Sequence, residues 1–202
     1  MAKYYSIQET GVEQEHAIYI FEDLAESDKY YELVAYLSNL KPNETVYIYF
    51  DSTGGDYHTS IVLSNAIRIC HANVVGVIMC RCYSGASAVA LACDRICVKS
   101  RGSMMVHNCR IWRDLDGIYI NELCHWVKTE YETWRKFFDE VYVQSGFLTE
   151  DEGQSILDEG KELYFSQQDL KDRLRKIGLL CELSDNFEKA GVCPAGARCH
   201  KL

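Results

Sequence analysis

The sequence predicts an α/β domain in which parallel strands alternate with helices. Residues 45–50 are an uninterrupted run of β-branched and aromatic residues, the pattern of a strand buried on both faces, and a helical pattern follows after two glycines. Residues 73–82 and then 84–92 repeat this strand-then-helix unit. Repeated units of this kind favour parallel strands joined by right-handed crossovers, so that the carboxyl ends of the strands lie along one edge.

The elements before the first glycine pair follow from local pattern. The apolar run at residues 17–21 predicts a short strand, and residues 28–40 carry apolar side chains near one stripe of a helix. The helix ends before Pro42, because proline cannot continue it. After the glycines, residues 58–70 again have helical spacing, while the short apolar runs 95–98 and 103–106 predict two further strands.

Residues 118–144 depart from the alternation and predict one long amphipathic helix. Its apolar residues recur every three or four positions over about seven turns; they are Ile120, Leu123, Val127, Tyr131, Trp134, Phe138 and Val141. The length of this helix and the aromatic residues on its stripe favour a contact with another copy of the chain. Thr149 then begins a capping-box pattern, a short helix is predicted at 154–159, and a strand is predicted from Glu162.

Composition narrows the functional classes. The formal charge of −9 argues against a surface for nucleic acid, which requires clustered Lys and Arg. No apolar stretch has the length of a membrane span, and residues 1–20 lack the pattern of an export signal, so a soluble cytoplasmic protein is expected. Most of the ten cysteines lie in predicted strands and helices, which favours reduced thiols over disulfides.

One domain is expected over residues 1–184, followed by a loosely ordered, cysteine-containing tail at 185–202. Cys193, Cys199 and His200 in this tail are three potential metal ligands, but they do not give a standard four-ligand zinc spacing. We therefore expect neither a metal nor a cofactor in this chain.

Residues that could take part in catalysis follow three of the predicted strands. Gly54 and Gly55 follow the first buried strand, Ser84 follows the second, and His107 follows a third. A serine nucleophile, a histidine general base and backbone N–H groups at glycines are the parts of a serine hydrolase. Gly55 and Gly85 are the candidate oxyanion donors. Ser84 could instead be a plain helix N-cap, and Ser87 is a competing nucleophile that lies inside the helix.

The same motifs resemble those of the Clp protease proteolytic subunit, whose superfamily also contains the crotonases. Ser52-Thr53-Gly54-Gly55 stands where that family has Ser-Pro-Gly-Gly, the segment from Ser84 to Asp94 is similar to its nucleophile helix, and Met-Met-Val-His107 is similar to its Val-Met-Ile-His. Glu162-Leu-Tyr-Phe-Ser resembles its Asp-x-x-Leu-Ser. The resemblance extends over roughly residues 16 to 183. Its strength comes from the occurrence of four motifs in order. It looks closest to divergent bacteriophage relatives.

The resemblance implies a spiral of strand-helix repeats with a long handle helix, and an activity. That activity is a serine endopeptidase that cleaves unfolded polypeptides through an acyl-enzyme inside a homo-oligomeric ring or double ring. An AAA+ unfoldase would be a separate partner, because this chain has no phosphate-binding loop for ATP. Ser84 and His107 would be catalytic. Glu162 would replace the family's aspartate as third residue, with Asp158 as the alternative.

Two other functions remain open at the level of sequence. A crotonase-type acyl-CoA enzyme would use the same fold and backbone oxyanion donors without a serine-histidine pair. A catalytically silent assembly subunit would keep the fold, although such subunits usually lose the serine or the histidine, and both Ser84 and His107 are present here.

Overall fold

The computed structural model of this chain describes residues 5–9, 14–110 and 119–181. The strands are β1 Ser6–Glu9, β2 Glu15–Ile20, β3 Thr45–Ser52, β4 Asn73–Tyr83, β5 Arg95–Val98, β6 Ser103–Val106 and β7 Leu163–Phe165. The α-helices are α1 Tyr31–Asn39, α2 Tyr57–Ile69, α3 Gly85–Leu91, α4 Ile120–Phe138, α5 Glu150–Glu159 and α6 Gln167–Lys176. A 3₁₀ turn, Ser27–Tyr30, precedes α1, and a π-helical turn, Asp139–Val143, follows α4.

The sheet confirms the predicted α/β class. Its strands follow the order β1-β2-β3-β4-β6-β7, with β5 also pairing with β4. The pairs β2–β3, β3–β4, β4–β5 and β4–β6 are parallel, whereas β1 pairs antiparallel with β2. Neither β1 nor α6 was predicted from the sequence. β1 is only four residues long and mostly polar, which leaves little pattern to detect.

Strand β4 is long enough to pair with two strands in succession on one side. Val75 to Ile78 pair with β5, and Arg81 to Tyr83 pair with β6. On its other side the register to β3 shifts, because Phe50 lies opposite Ile78 while Ser52 lies opposite Cys82. Four residues of β4 therefore span the same length as two steps of β3. This bulge sets the position at which β4 ends beside β6.

The chain divides into two compact units, one formed by Met1–Met105 with Tyr164–Leu202 and the other by Val106–Leu163. In the first, α3 is buried along its whole length and packs against α2. On the sheet, Val46, Ile48 and Phe50 alternate with Tyr47 and are buried, as expected for a strand covered on both faces. A single domain over 1–184 stays a prediction, and the tail at 185–202 lies outside the described residues.

The long helix is present, and its apolar residues lie in two different environments. Trp134 and Phe138 are 4% and 0% exposed, and Trp134 packs against both Phe137 and Phe138 inside the second unit. The first half of α4 is more open, and Val127 is 40% exposed. The proposal that Trp134 and Phe138 contact another copy is therefore wrong, because folding of this unit already buries them. The beginning of the predicted helix at residue 118 lies outside the described residues.

The π-helical turn explains how the buried stripe continues past α4. The Gln144 N–H donates to the Asp139 carbonyl, five residues earlier, at 2.8 Å. This wider turn shifts the helical phase, and both Val141 and Tyr142 become buried. Tyr142 stacks in a tilted arrangement on Phe138 with ring centroids 4.9 Å apart. Thr149 then forms the predicted capping box with Glu152 at the start of α5.

Every cysteine within the described residues is a free thiol. Across those same residues, none of the helices combines the length and the apolar character needed to cross a membrane.

We expect Phe138→Ala to reduce the free energy of unfolding by about 3–5 kcal/mol, because it removes a fully buried aromatic ring from the second unit. Val127→Ala, on the exposed half of the same helix, should cost well under about 1 kcal/mol. Urea unfolding monitored by circular dichroism measures both variants. Equal losses would contradict the assignment of Phe138 to the core.

Candidate active site

Ser84 is the single residue between the end of β4 at Tyr83 and the start of α3 at Gly85. Its backbone has φ 51° and ψ −128°, a conformation that costs a residue with a side chain on the order of 1–3 kcal/mol. Its side chain makes no capping hydrogen bond to α3. A plain N-cap role therefore does not account for this serine, and its strained backbone presents the hydroxyl at the strand end.

The backbone of Ser84 is held from both sides. Its N–H donates to the Met105 carbonyl of β6 at 2.8 Å, and its carbonyl accepts from the Ser87 N–H at 2.9 Å. The Ser87 hydroxyl donates to the same carbonyl at 2.6 Å, and Ser87 is fully buried. Ser87 thus supports the turn from within the helix, and Ser84 is the better placed of the two serines for nucleophilic attack.

The glycine pair lies directly against this turn. A Cβ atom on Gly54 would be 2.5 Å from the Ser84 Cβ, 2.7 Å from the Tyr83 carbonyl oxygen and 2.9 Å from the Gly85 nitrogen. Gly54 and Gly55 also have φ of 102° and 134°, which residues with side chains rarely adopt. Both the close approach and the backbone conformation require glycine at position 54.

Backbone hydrogen bonds orient the Gly55 N–H away from the loop that contains Leu24. Gly55 forms a parallel bridge with Leu24, in which the Leu24 N–H donates to Gly54 and the Asp56 N–H donates to Leu24, at 2.5 and 2.8 Å. In such a bridge the N–H of the central residue points to the opposite side. The Gly85 N–H is the first of α3 and has no partner within the helix. Neither group donates a hydrogen bond to another described residue.

The contribution of the loop that carries Leu24 was not predicted from the sequence. The hydroxyl and the N–H of Thr53 both donate to the Asp23 carboxylate, the latter at 3.3 Å. The Thr59 hydroxyl donates to the Ala25 carbonyl at 2.6 Å. These bonds tie residues about 30 positions apart, and no short-range pattern in the sequence indicates them. They hold the glycine turn in place from the side opposite Ser84.

His107 follows β6 and belongs to the second compact unit, as do Arg110 and Glu162. The Arg110 Nη2 donates to the Glu162 Oε1 at 2.6 Å. Burial lowers the pKa of His107, and the nearby Arg110 guanidinium lowers it further, while the Glu162 carboxylate acts in the opposite direction. The imidazole is thereby biased toward its neutral form, which can accept a proton. The charge of Glu162 thus influences His107, whereas the role of Glu162 as a third catalytic residue stays a prediction, and Arg110 was not predicted from the sequence.

Asn108 anchors the chain directly after His107. Its Oδ1 accepts from the Trp134 Nε1 at 3.0 Å and from the Cys109 N–H at 2.8 Å, and its Nδ2 donates to the Leu157 carbonyl at 3.1 Å. One side chain therefore connects the end of β6 with α4 and α5.

Asp158, the alternative third residue, lies on the last turn of α5 and is exposed. The charges that shift the pKa of His107 are those of Arg110 and Glu162, and Asp158 is not among them. Of the two carboxylates, Glu162 is therefore the one whose charge influences the imidazole, and it is the better candidate for the third residue. Over residues 5–9, 14–110 and 119–181, no cluster of three His, Cys, Asp or Glu could hold a metal ion. The ligand set at Cys193, Cys199 and His200 lies outside the described residues.

Comparisons with known proteins identify a family and many solved structures of similar fold. The model of the family described as Clp protease matches residues 5–115, which include Gly55, Ser84, Gly85 and His107. No curated protein matches the sequence. A similar solved structure is a peptidase from Plasmodium falciparum, with 13% sequence identity and a TM-score of 0.64, covering 83% of this chain and 96% of that chain. At this identity the likeness shows the fold alone.

We expect Gly54→Ala to lower the free energy of unfolding by several kcal/mol. It adds the left-handed strain of about 1 kcal/mol to a collision with the serine turn that costs about 1–3 kcal/mol more. Gly178→Ala is the matched control, because Gly178 has φ 74° but nothing within 4 Å of an added Cβ. Thermal and urea unfolding measure both variants. Similar losses in the two would show that the contact between Gly54 and Ser84 is looser than the structure indicates.

Proposed function

The chain belongs to the Clp protease family, and on that premise we propose that it is a serine endopeptidase that cleaves unfolded polypeptides through an acyl-enzyme. The observation that carries the proposal is the backbone of Ser84, which is strained and held on both sides although the side chain does not cap α3. Strain of this kind is typical of a nucleophile set on a strand-to-helix turn. The likeness to a solved peptidase supports the same interpretation of the fold.

In the proposed reaction, the Ser84 hydroxyl attacks the carbonyl carbon of the scissile bond while His107 accepts its proton. The negative charge that develops on the carbonyl oxygen is stabilised by the N–H groups of Gly55 and Gly85. The tetrahedral intermediate collapses, the C–N bond breaks, and His107 delivers the proton to the leaving amine. Water then attacks the Ser84 ester with the same base, releasing the acid and restoring the hydroxyl.

Glu162 is the proposed third residue, and it acts by orienting His107 and stabilising its protonated form during the reaction. Its effect on the pKa of His107 supports this role. Its side chain has one more methylene than the aspartate of the family motif, so it needs additional restraint to keep one orientation.

The proposed setting is a homo-oligomeric ring or double ring, with an AAA+ unfoldase as a possible separate partner that spends ATP. The half-exposed first half of α4 supports an assembled state, because Val127 and the partly buried Leu123 and Tyr131 lie at helical spacing on one stripe. No metal or cofactor enters the proposed chemistry. A cytoplasmic location and a bacteriophage origin are further parts of the proposal that rest on the sequence.

A fluorophosphonate probe should label wild-type protein once, at Ser84, because the activated hydroxyl attacks phosphorus as it attacks a carbonyl. Ser84→Ala should lose the label, whereas Ser87→Ala should keep the same site of labelling. Mass spectrometry of the digested protein locates the modification. An unlabelled chain that binds coenzyme A would support a crotonase-type enzyme. An unlabelled chain with no peptide turnover above that of Ser84→Ala would support a silent assembly subunit.

Glu162→Gln should lower kcat for a peptide substrate by on the order of 10²- to 10⁴-fold, because an amide cannot stabilise the imidazolium and can hold the wrong tautomer. Asp158→Asn, an equally conservative change on the exposed end of α5, should stay within about twofold of wild type. Steady-state kinetics with a fluorogenic peptide measures both. A large loss in Asp158→Asn with little change in Glu162→Gln would move the third role to Asp158.

A further inference from the structure

Arg110 forms an ion pair with Glu162, a carboxylate whose charge influences the histidine. Its guanidinium and the Glu162 carboxylate are 52 residues apart in sequence, and their charged hydrogen bond is 2.6 Å long. Charge-assisted bonds of this length are among the stronger hydrogen bonds in proteins. Arg110 lies three residues after His107, so the same short segment carries both the histidine and the cation that binds its acidic neighbour.

A glutamate at this position needs such a restraint. Glu162 is one-third exposed, and a glutamate side chain has three rotatable bonds, so an unheld carboxylate would occupy several positions. A carboxylate has two oxygens and accepts from two donors at once. Arg110 binds Oε1. The carboxylate can still accept a hydrogen bond from a second donor, such as an imidazole N–H. The guanidinium is planar and rigid, so the Nη2–Oε1 hydrogen bond restrains the carboxylate more than a bond from a flexible amine would.

We propose that Arg110 is a positioning residue that holds the Glu162 carboxylate in the orientation through which it acts on His107. The role rests on the proposed function, because it matters for catalysis only if His107 is the general base. It also gives a reason why a glutamate can stand where the family motif has the shorter aspartate.

The charges of the pair have opposite effects on the histidine. Burial lowers the pKa of His107 most, the positive charge of Arg110 lowers it further, and the negative charge of Glu162 raises it. Removing the cation should therefore raise this pKa, and removing the anion should lower it. If Arg110 also fixes the position of Glu162, loss of the arginine lets the carboxylate move and weakens its own effect on the imidazole.

This coupling can be measured without catalysis. We suggest a double-mutant cycle of Arg110→Gln, Glu162→Gln and the two combined, all in protein carrying Ser84→Ala. The pKa of His107 is read by NMR from histidine labelled with ¹³C at Cε1, with the resonance assigned by its loss in His107→Gln. In the presence of Arg110, Glu162→Gln should lower the pKa by about half a unit, because it removes the negative charge that raises this pKa.

In the Arg110→Gln background the same Glu162→Gln change should lower the pKa by less than half as much. An equal effect of Glu162→Gln in both backgrounds overturns the proposal, since the carboxylate would then keep its place without the arginine. Lys161→Gln is the matched control. Lys161 precedes Glu162 and pairs with Glu159 at 2.7 Å, so its loss should leave the effect of Glu162→Gln unchanged. Arg110→Lys tests the geometry, because it keeps the charge without the planar fork, and it should give an intermediate effect of Glu162→Gln.

Turnover by otherwise wild-type protein gives a second measurement. In Arg110→Gln the acidic limb of the kcat/KM profile combines two opposed changes, because loss of the cation raises the pKa of His107 while a displaced Glu162 raises it less, so the plateau above this limb is the decisive quantity. The plateau should fall about tenfold, below the hundredfold that a 1 Å misplacement can cost. An unchanged plateau in correctly folded Arg110→Gln also overturns the proposal. If fluorophosphonate fails to label Ser84, the proposed function fails, and the titration cycle still decides whether Arg110 positions Glu162.

Discussion

The conformation of one peptide unit, that of Ser84, sets the conditions for the rest of the candidate site. A positive φ at a serine persists only where its surroundings fix it. Here Met105 of β6 binds its N–H, Ser87 of α3 binds its carbonyl, and Gly54 fills the space beside its Cβ. The long β4 is needed for this arrangement, because only its last three residues pair with β6. Sheet register, helix start and glycine turn thus converge on a single residue.

Much of the fold could be predicted from the sequence, and candidate site residues could be proposed from it, because both depend on local pattern. Continuous apolar runs in the sequence indicate buried strands such as β3. The glycine pair indicates a turn that side chains would block. The strain at Ser84 could not be predicted, since a serine after a strand looks the same whether it caps a helix or not. Trp134 and Phe138 were misassigned for a related reason. Periodicity finds an apolar stripe but does not tell which surface covers it.

Arg110 shows a different limit of sequence reasoning. Its partner Glu162 is 52 residues away, and no short motif contains both residues. The exchange of aspartate for glutamate, seen alone, suggests a weakened triad. Considered together with Arg110, the same exchange gives a longer acidic side chain whose carboxylate is bound by the positive charge of the arginine. The two interpretations differ only in a contact between side chains, which a single sequence does not display.

The π-helical turn after α4 also bears on how the length of this chain can change. Asp139–Val143 accommodates one residue more per turn than an α-helix does, so the turn behaves as a local insertion that the helix has absorbed without breaking. Loss of one residue here would return the segment to ordinary helical winding and keep the helix continuous, although it would rotate the residues after the turn. The helix α3 has no extra residue that a deletion could remove in this way, because all seven of its residues are buried. Relatives of this chain should therefore differ in length at the end of the long helix and keep the spacing after the serine.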